Sequence, residues 1–344
     1  MPVRTGASLL DQRNGPLTSL ASILVTGGAG FIGSHLVDHL LERGDRVTVV
    51  DDFSTGRRSN LDRARATGGD RLSILDGTVG EVLPTLDPGD FDSMHHLAAA
   101  VGVRLVVDSP IRTIETNVQE TSAALGFARS GGIPILVAST SEVYGKGVRQ
   151  PLSEDDDVVY GPTTVPRWSY ACSKAIDEYL ALAHHRGGLA PAVVIRFFNT
   201  VGPRQRGEYG MVLPRFVTAA IRGETIEVHG DGDQSRCFCD VRDVVPALPR
   251  LLEDPTLRGR VYNLGRDELI GIGRLAELVR ARLQSNSEIR HLPYGEAFDE
   301  DFEDLRTRRP DLTRIREAIG FSPSIELPNT IDDLASAIQA EAEA

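Results

Sequence analysis

Short apolar runs alternate with longer amphipathic segments along most of the chain. Residues 23–25 form an aliphatic run that stops at a glycine-rich stretch, and residues 31–41 repeat apolar side chains at helical spacing. This order predicts a strand, a tight turn and a helix. The alternation continues and predicts further strands at 46–50, 72–75, 93–97, 134–138 and 192–197 and helices at 111–130 and 170–186. Repeated βα units predict an α/β fold, with a doubly wound parallel sheet and helices on both faces.

The alternation weakens after about residue 199, where loops, short strands and helices near 212–222 and 273–283 are predicted. We therefore expect a main domain followed by a smaller mixed α/β lobe. The expected division is a main domain at 22–198 with a returning segment near 241–265, and a lobe formed by 199–240 and 266–344. Residues 1–21 show no periodicity and are expected to be an N-terminal extension, whereas the acidic, alanine-rich end of the chain predicts a surface helix.

Composition narrows the class of protein. The chain has 344 residues, of which 41% are hydrophobic and 25% charged, as in ordinary globular proteins. Its formal net charge of −12 disfavours nucleic acid and anionic membranes as partners. Three cysteines without a CxxC spacing favour neither a disulfide framework nor a metal site, so we predict no metal and a reducing compartment. Because no apolar run reaches about 18 residues, we predict no membrane partner and a cytoplasmic location.

The segment TGGAGFIG between the first strand and the first helix contains three regularly spaced glycines: Gly27, Gly30 and Gly33. Glycines in such a turn permit a sharp bend, a close approach of backbone to pyrophosphate and tight packing of helix on strand. This predicts a Rossmann-type dinucleotide site. Asp51 ends the next strand and can accept hydrogen bonds from an unphosphorylated ribose, which favours NAD. Arg57 and Arg58 follow closely and leave NADP as an alternative.

Tyr170 and Lys174 stand four residues apart in a predicted helix, so both side chains emerge on one face. Lys174 is one of only two lysines in the chain. An ammonium beside a phenol favours the phenolate and lowers the phenol pKa from about 10, which predicts a base that works near neutral pH. The residues STSE at 139–142 follow another predicted strand, so their side chains are expected at the same edge of the sheet. Turn formation is the alternative role for these hydroxyls.

Taken together, these segments resemble the extended short-chain dehydrogenase/reductase family, and within it the nucleotide-sugar epimerases, decarboxylases and dehydratases. The resemblance covers about residues 22–335 and is carried by TGGAGFIG, DDFSTG, HLAA, STSEVYG, SYACSK, RFFNTVGPR, GDGDQSRCF and YNLG. It implies a Rossmann domain that binds NAD and a smaller lobe that binds a UDP-sugar. It also implies a homodimer that pairs through the helices near 111–130 and 170–186.

The resemblance assigns a role to individual residues of these motifs. The implied catalytic residues are Tyr170, Lys174, Thr140 and Glu142. The implied NAD-binding residues are Gly27, Gly30, Phe31, Ile32, Gly33, Asp51, Asp52, Asp76, Leu97, Ala99 and Lys174. The implied substrate-binding residues are Thr140, Ser141, Tyr170, Asn199, Arg204, Arg236 and Arg308. For Arg236 and Arg308, a solvated surface charge is the alternative interpretation.

The residues around Glu142 distinguish among the reactions of the family. Dehydratases carry an aspartate directly before this glutamate, and here that position is Ser141, which disfavours dehydration. Glu142 and the residues RWSY at 167–170 resemble enzymes that act on UDP-glucuronate. We therefore predict NAD-dependent C4 epimerisation of UDP-glucuronate to UDP-galacturonate through a 4-keto intermediate, as in UDP-glucuronate 4-epimerases. Arg204 would hold the substrate carboxylate away from the geometry in which carbon dioxide is lost.

Other activities remain open at this stage. Decarboxylation of UDP-glucuronate to UDP-xylose is the main alternative, because Glu142 would disfavour a second negative charge nearby. A UDP-glucose 4-epimerase and a non-catalytic NAD-binding sensor are further alternatives. The sensor is disfavoured because Tyr170 and Lys174 are both present.

Overall fold

The computed structural model describes residues 20–100, 109–207, 211–293 and 306–343. Nearly all of the predicted N-terminal extension lies outside these residues. The strands are β1 (Ser22–Thr26), β2 (Arg46–Asp51), β3 (Leu72–Asp76), β4 (Ser93–His96), β5 (Ile135–Thr140), β6 (Ala192–Phe197), β7 (Thr200–Val201), β8 (Ile226–His229), β9 (Ser235–Cys237), β10 (Cys239–Asp240), β11 (Val261–Leu264), β12 (Leu269–Gly271), β13 (Ile289–Leu292) and β14 (Thr307–Arg308).

The helices alternate with the strands in the first part of the chain and dominate its end. They are α1 (Phe31–Glu42), α2 (Asp62–Gly68), α3 (Val79–Val82), α4 (Pro110–Gly131), α5 (Trp168–Arg186), α6 (Val212–Arg222), α7 (Val241–Val244), α8 (Ala247–Glu253), α9 (Ile272–Arg282), α10 (Thr313–Ile319) and α11 (Leu327–Glu343). The longest predicted strands and helices are all present, with ends that differ by one or two residues.

A seven-stranded parallel sheet forms the centre of the fold, in the order β11-β6-β5-β4-β1-β2-β3. This confirms the predicted fold class. Thr26 pairs with both Val50 and His96, and Thr140 pairs with Phe197, so the carboxyl ends of these strands meet at one edge. The segments singled out in the sequence follow these strand ends, and the topology therefore gathers them into one region.

Both faces of the sheet are covered by helices. Ile23 and Val25 of β1 point into one core with Leu36 of α1, whereas Leu24 points into the opposite core with Leu125 of α4. This alternation follows from the two-residue repeat of a strand. Because both faces are buried, the strand is continuously apolar, as its sequence indicates.

A third core lies outside the main sheet. It joins α6, α9 and the small β8–β13 pair to one face of α11, where Ile331, Leu334 and Ala335 are buried. The end of the chain is therefore helical as predicted, and one face of this helix packs against the other elements of the smaller lobe. Strand β11 returns to the main sheet beside β6, with Val261 opposite Val194. The division into domains stays a prediction.

The long helices α4 and α5 pack on the same face of the sheet and carry exposed apolar side chains, namely Ile111, Ile114, Ile176 and Tyr179. The homodimer expected through these helices stays a prediction. Within the described ranges, no helix is both long and apolar enough to cross a membrane. The same residues contain no group of three or more side chains suited to hold a metal ion.

Candidate active site

The glycine turn between β1 and α1 has the shape that a pyrophosphate needs. Gly27 has a φ of 68°, and a Cβ on it would lie 2.7 Å from the Ala98 nitrogen. A Cβ on Gly33 would lie 2.0 Å from the Gly27 oxygen, so helix and turn pack with no room for a side chain. A Cβ on Gly30 meets only that same oxygen, at 3.1 Å, and otherwise faces open space. Gly30 is therefore the position where backbone can approach a ligand at the start of α1, beside Phe31 and Ile32.

Asp51 lies at the end of β2 beside this turn. It is buried, and its carboxylate accepts hydrogen bonds from the backbone N–H groups of Ala29, at 2.8 Å, and Phe53, at 2.9 Å. Burial raises the pKa of Asp51, and these two N–H groups oppose the rise. Because a carboxylate has about four acceptor positions, it retains acceptor capacity for ribose hydroxyls. The turn and Asp51 therefore fit the adenosine diphosphate part of NAD.

The neighbouring charged residues are engaged with one another. Asp52 accepts hydrogen bonds from the backbone and side chain of Ser54, and Asp76 forms an exposed ion pair with Arg58. Arg57 forms an ion pair with Glu341 of α11. The two arginines that left NADP open are thus each next to a carboxylate, which disfavours an added phosphate.

The HLAA segment follows β4 at the same edge of the sheet. Leu97 donates its N–H to the Thr26 oxygen at 3.1 Å, which fixes this segment, including Ala99.

Tyr170 and Lys174 emerge from the same side of α5, and Thr140 ends the adjacent strand β5. The pKa of Tyr170 is raised, first by burial and then by the charges of Glu142 and Asp177, while a hydrogen bond with Thr140 opposes the rise. Lys174 is 2% exposed and its Nζ lies 2.7 Å from Asp177 Oδ2. The predicted lowering of the tyrosine pKa by lysine is therefore wrong, because the ammonium is paired with Asp177.

Glu142 follows Thr140 and Ser141 in a short 3₁₀ turn and is surrounded by arginines. Its Oε1 lies 2.5 Å from Arg308 Nη1, and its Oε2 lies 3.7 Å from Arg167 Nη2. Burial alone would raise the pKa of Glu142. The positive charges of Arg308, Arg167 and Arg236 outweigh burial and hold this pKa below its usual range. Glu142 is therefore a carboxylate at neutral pH.

Arg236 and Arg308 occupy adjacent positions on paired strands. Strand β14 pairs in parallel with β9, with Arg308 opposite Arg236. Their side chains are buried, at 8% and 6% exposure, so their interpretation as solvated surface charges is wrong. Arg308 also lies 3.3 Å from the Ser141 hydroxyl, and its buried Nε has no hydrogen-bond partner among the described residues. A donor of this kind is suited to a bound anion.

Asn199 and Arg204 lie in the loop around β7, both with a positive φ, of 32° and 69°. Asn199 donates from Nδ2 to the Cys237 oxygen at 2.9 Å, which ties this loop to β9. Arg204 Nη2 lies 2.7 Å from Asp38 Oδ2 of α1. The structure thus places Arg204 against α1, the helix that follows the glycine turn. The arginines that lower the pKa of Glu142 are Arg308, Arg167 and Arg236.

Sequence reasoning missed Asp177 and did not count Arg167 among the site residues. The signal for Asp177 was its position three residues after Lys174 on a helix, a spacing that allows an ion pair. Arg167 precedes α5 and stacks near the Trp168 ring, with its guanidinium carbon 5.7 Å from the ring centre. The RWSY segment indicated that Arg167 belongs to the site, but its contact with Glu142 depends on how the loop before α5 packs.

Comparison with known proteins identifies the family. The model of the NAD dependent epimerase/dehydratase family matches residues 23–265. The chain belongs to this family. NAD is its cofactor, which confirms the prediction, and the family-level resemblance found in the sequence is confirmed with it.

Individual relatives carry finer descriptions. A UDP-N-acetyl-alpha-D-glucosaminuronate decarboxylase of Bacillus cytotoxicus is 40% identical over 88% of this chain and 92% of its own length. UDP-glucuronic acid decarboxylase 4 of Arabidopsis thaliana is 36% identical over 89% of this chain and 66% of its own length. Among solved structures, a UDP-N-acetylglucosamine 4-epimerase of Methanobrevibacter ruminantium has a TM-score of 0.82 at 28% identity, covering 94% of this chain and 99% of that one. The sequence relatives named here are decarboxylases, not 4-epimerases.

Proposed function

We propose that the protein is an NAD-dependent decarboxylase of a UDP-linked hexuronic acid. This replaces C4 epimerisation of UDP-glucuronate, which the sequence alone favoured. The observation that carries the proposal is the placement of Glu142, as a carboxylate, beside Thr140 and Ser141 and in contact with the buried Arg308. Sequence relatives at 36–40% identity that act as decarboxylases on such sugars support it.

The substrate would be anchored by its negative charges. Arg236 and Arg308 form a buried pair of cations in a chain whose net charge is negative, and they lie on paired strands at the edge of the smaller lobe. Arginine binds phosphate and carboxylate groups through two parallel hydrogen bonds, which fixes orientation as well as position. We expect these residues to hold the diphosphate and to orient the uronate towards Ser141 and Glu142.

The chemistry needs a ketone at C4 of the sugar. Bound NAD would supply reversible oxidation of that carbon, and the glycine turn and Asp51 would hold it at the carboxyl edge of the sheet. Tyr170 accepts the proton of the 4-hydroxyl group, and Thr140 hydrogen-bonds and orients the same oxygen. Lys174 lies one helical turn from Tyr170. When its ammonium moves from Asp177 towards the site, it favours the phenolate form of Tyr170.

Glu142 acts on the next step. The 4-keto sugar acid is a β-keto acid, so the C5–C6 bond breaks, carbon dioxide leaves, and the electron pair remains in an enolate between C5 and C4. A proton then returns to C5 before C4 is reduced again. The Glu142 charge close to the substrate carboxylate raises the energy of the bound carboxylate, and loss of carbon dioxide relieves this repulsion. In an epimerase, by contrast, the substrate carboxylate must be held where it does not leave.

The experiment is a product assay with two substrates. The protein is incubated with NAD and either UDP-glucuronate or UDP-N-acetylglucosaminuronate, and the masses of the products are measured by mass spectrometry. Loss of the mass of carbon dioxide from either sugar supports the proposal, and the preferred sugar reports the group accepted at C2. An unchanged mass with an inverted C4 would instead establish the epimerase. Tyr170→Phe is the control, since it keeps the pocket and removes the base.

A further inference from the structure

Lys174 and Asp177 form an ion pair that is closed off from solvent. Their Nζ and Oδ2 atoms lie 2.7 Å apart, and the residues are 2% and 0% exposed. Two charges buried in this way cost several kcal/mol in lost hydration unless they pair with each other and with further polar groups. An apolar residue at 177 would leave the buried Lys174 ammonium without this partner, so a buried lysine at 174 requires a group such as Asp177 beside it.

Further polar groups continue from this pair towards the cofactor turn. The Thr121 hydroxyl of α4 favours the charged form of Asp177 by hydrogen bonding and lies 3.2 Å from His96 Nε2. The other ring nitrogen of His96 lies 2.8 Å from the Thr26 hydroxyl, directly before Gly27. Burial, followed by the charge of Lys174, lowers the pKa of His96 to about 3. The imidazole is therefore neutral, with one nitrogen donating and the other accepting a hydrogen bond.

The charged groups around Tyr170 and Asp177 come from two elements. Glu142, after β5, and Asp177, on α5, both oppose ionisation of Tyr170, and Thr140 favours it. Asp177 itself faces Lys174 and Glu178 of its own helix and Thr121 of α4. Glu142 also has cations beside it, since Arg308 and Arg167 lie 2.5 Å and 3.7 Å from its carboxylate oxygens. Among the described ion pairs the cation beside Asp177 is Lys174, so the position of the Lys174 ammonium decides whether its charge acts on Asp177 or on Tyr170.

We propose that Asp177 is a positioning residue for the Tyr170–Lys174 pair: its carboxylate, at the end of a polar chain through Thr121 and His96, holds the lysine ammonium. The inference rests on the proposed roles of Tyr170 and Lys174 in oxidising the sugar. It assigns to Asp177 the control of when the base becomes active. With Lys174 on Asp177 the phenol keeps its proton, and release of Lys174 to the site favours the phenolate.

Glu178 provides a matched control on the same helix. It is the next residue, it is also buried, and it also pairs with a cation, through Oε2 to Arg196 Nη2 at 2.7 Å. Its other oxygen accepts a hydrogen bond from the Ser139 hydroxyl at 2.5 Å. Glu178→Gln therefore removes a neighbouring buried carboxylate without removing a charge that acts on Tyr170.

The first experiment measures ionisation of Tyr170 without any sugar. Tyrosinate absorbance is titrated with pH in the NAD-saturated protein, and the curve of the Tyr170→Phe variant is subtracted. In Asp177→Asn the Tyr170 step should move to lower pH by about one unit, as expected for removal of a nearby negative charge. Glu178→Gln should leave the step in place. An unchanged step in Asp177→Asn, or an equal shift in both variants, would overturn the proposal.

A second experiment does not depend on folding of Asp177→Asn. Because the chain has only two lysines, Lys146 and Lys174, protein labelled with ¹³C at lysine Cε gives two signals, which Lys146→Arg assigns. Burial raises the pKa of Asp177, so the Lys174 signal should follow a carboxyl titration with a midpoint above the usual aspartate value, while the Lys146 signal does not. Thr121→Val should move this midpoint to higher pH, because the hydroxyl favours the carboxylate.

A Lys174 signal that ignores this titration in folded protein, or a midpoint that Thr121→Val leaves unchanged, would contradict the inference. Circular dichroism at each pH verifies that the protein is folded. Neither titration uses a sugar, so failure of the decarboxylase proposal in the product assay is distinguishable from failure of this one. If the protein titrates as described but leaves UDP-uronates unchanged, the role of Asp177 stands and the proposed reaction is wrong.

Discussion

Arg308 Nη1 lies 2.5 Å from Glu142 Oε1, which joins the short strand β14 to the turn after β5. The two residues are far apart in the chain and meet because β14 pairs with β9 of the smaller lobe. The contact keeps Glu142 charged despite its burial, since the neighbouring guanidinium groups hold its pKa below the usual range. The site that we propose for an acidic sugar thus contains a carboxylate that stays charged, held in place by arginines that we also expect to bind the substrate.

Replacing Arg308 tests whether this contact serves catalysis. Arg308→Ala removes the partner of Glu142 and of the Ser141 hydroxyl together, so we expect kcat for decarboxylation to fall about a hundredfold or more. NAD affinity should not change, because the dinucleotide turn lies on β1 and α1. Steady-state kinetics and an NAD titration measure the two effects. Arg308→Lys should recover only part of the rate, because an ammonium on a different stem does not reproduce the contacts of the guanidinium with both Glu142 and Ser141.

Arg306 provides the control for this change. It lies two residues earlier, its side chain is 82% exposed, and its ion pair with Asp231 is long, at 3.4 Å. Arg306→Ala should leave kcat within a factor of about two, as expected for an exposed pair. An equal loss of rate in both variants would assign the effect of Arg308→Ala to loss of positive charge in the region rather than to its contact with Glu142.

The glycine turn gives a prediction about cofactor binding and stability. Gly33→Ala places a Cβ 2.0 Å from the Gly27 oxygen, so the turn must open, and we expect both a lower melting temperature and loss of NAD binding. Gly30→Ala places its Cβ 3.1 Å from the same oxygen, which requires a much smaller shift, so it should fold with little loss of stability and weaken mainly NAD binding. Differential scanning fluorimetry with and without NAD measures both effects.

A third glycine calibrates this comparison. Gly126 lies within α4, is exposed, and a Cβ added to it would have no neighbouring atom within 4 Å among the described residues. Gly126→Ala should stabilise the protein by about 0.5–1 kcal/mol through helix propensity, with NAD affinity unchanged. If Gly33→Ala raised stability and left NAD affinity unchanged, as expected for Gly126→Ala, then the close packing of α1 on the turn would not explain the glycine at position 33.

The elements that could be predicted from the sequence are those specified by neighbouring residues. The apolar runs predict the first six strands of the sheet, and the glycine spacing predicts the turn that the structure shows before α1. Strand β5 is longer than predicted because Ser139 and Thr140 keep pairing with β6, opposite Arg196 and Phe197. Polar residues at the end of a strand interrupt an apolar run without interrupting its hydrogen bonds.

Contacts between distant parts of the chain could not be predicted in the same way. Arg204 and Arg308 are both arginines near a recognisable motif, yet one pairs with Asp38 on α1 and the other with Glu142. Which carboxylate each meets depends on how the smaller lobe packs on the sheet, and a one-dimensional pattern does not contain that packing. The pKa of Tyr170 was misjudged for a related reason, since the partner of Lys174 decides where its charge acts.

The new position of Arg204 leads to a different prediction for its replacement. Arg204→Ala leaves Asp38 without its ion pair in a nearly buried position, which should lower the free energy of unfolding by about 1–3 kcal/mol. Binding of UDP-glucuronate and of UDP-glucose should weaken by similar factors, because the loop is loosened for both. Chemical denaturation and calorimetry measure these quantities.

A double-mutant comparison separates this ion pair from a direct contact with substrate. In the Asp38→Asn background, Arg204→Ala should cost clearly less stability than in the wild type, because the pair is already broken. A loss of affinity confined to UDP-glucuronate would instead return Arg204 to the role of holding the substrate carboxylate.

Buried histidines should make the protein sensitive to moderate acid. His95 lies within β4 with both ring nitrogens buried and without hydrogen-bond partners among the described residues, and burial lowers its pKa from 6.5 to about 3. Between these values the unfolded chain binds one more proton at this residue than the folded protein does. The free energy of unfolding therefore falls as pH decreases below about 6.5, by about 1.4 kcal/mol per pH unit for this group.

His95→Leu should remove this part of the acid sensitivity. Urea unfolding of the variant and the wild type from about pH 7 to about pH 5 gives the change in the free energy of unfolding with pH for each protein. The two slopes should differ by the contribution of the one proton that His95 binds on unfolding. The remaining slope would come from other groups such as His96 and His35, whose pKa values burial lowers to about 3 and about 4. If the His95→Leu curve ran parallel to the wild type, His95 would be protonated inside the folded sheet, and the low pKa assigned to it would be wrong.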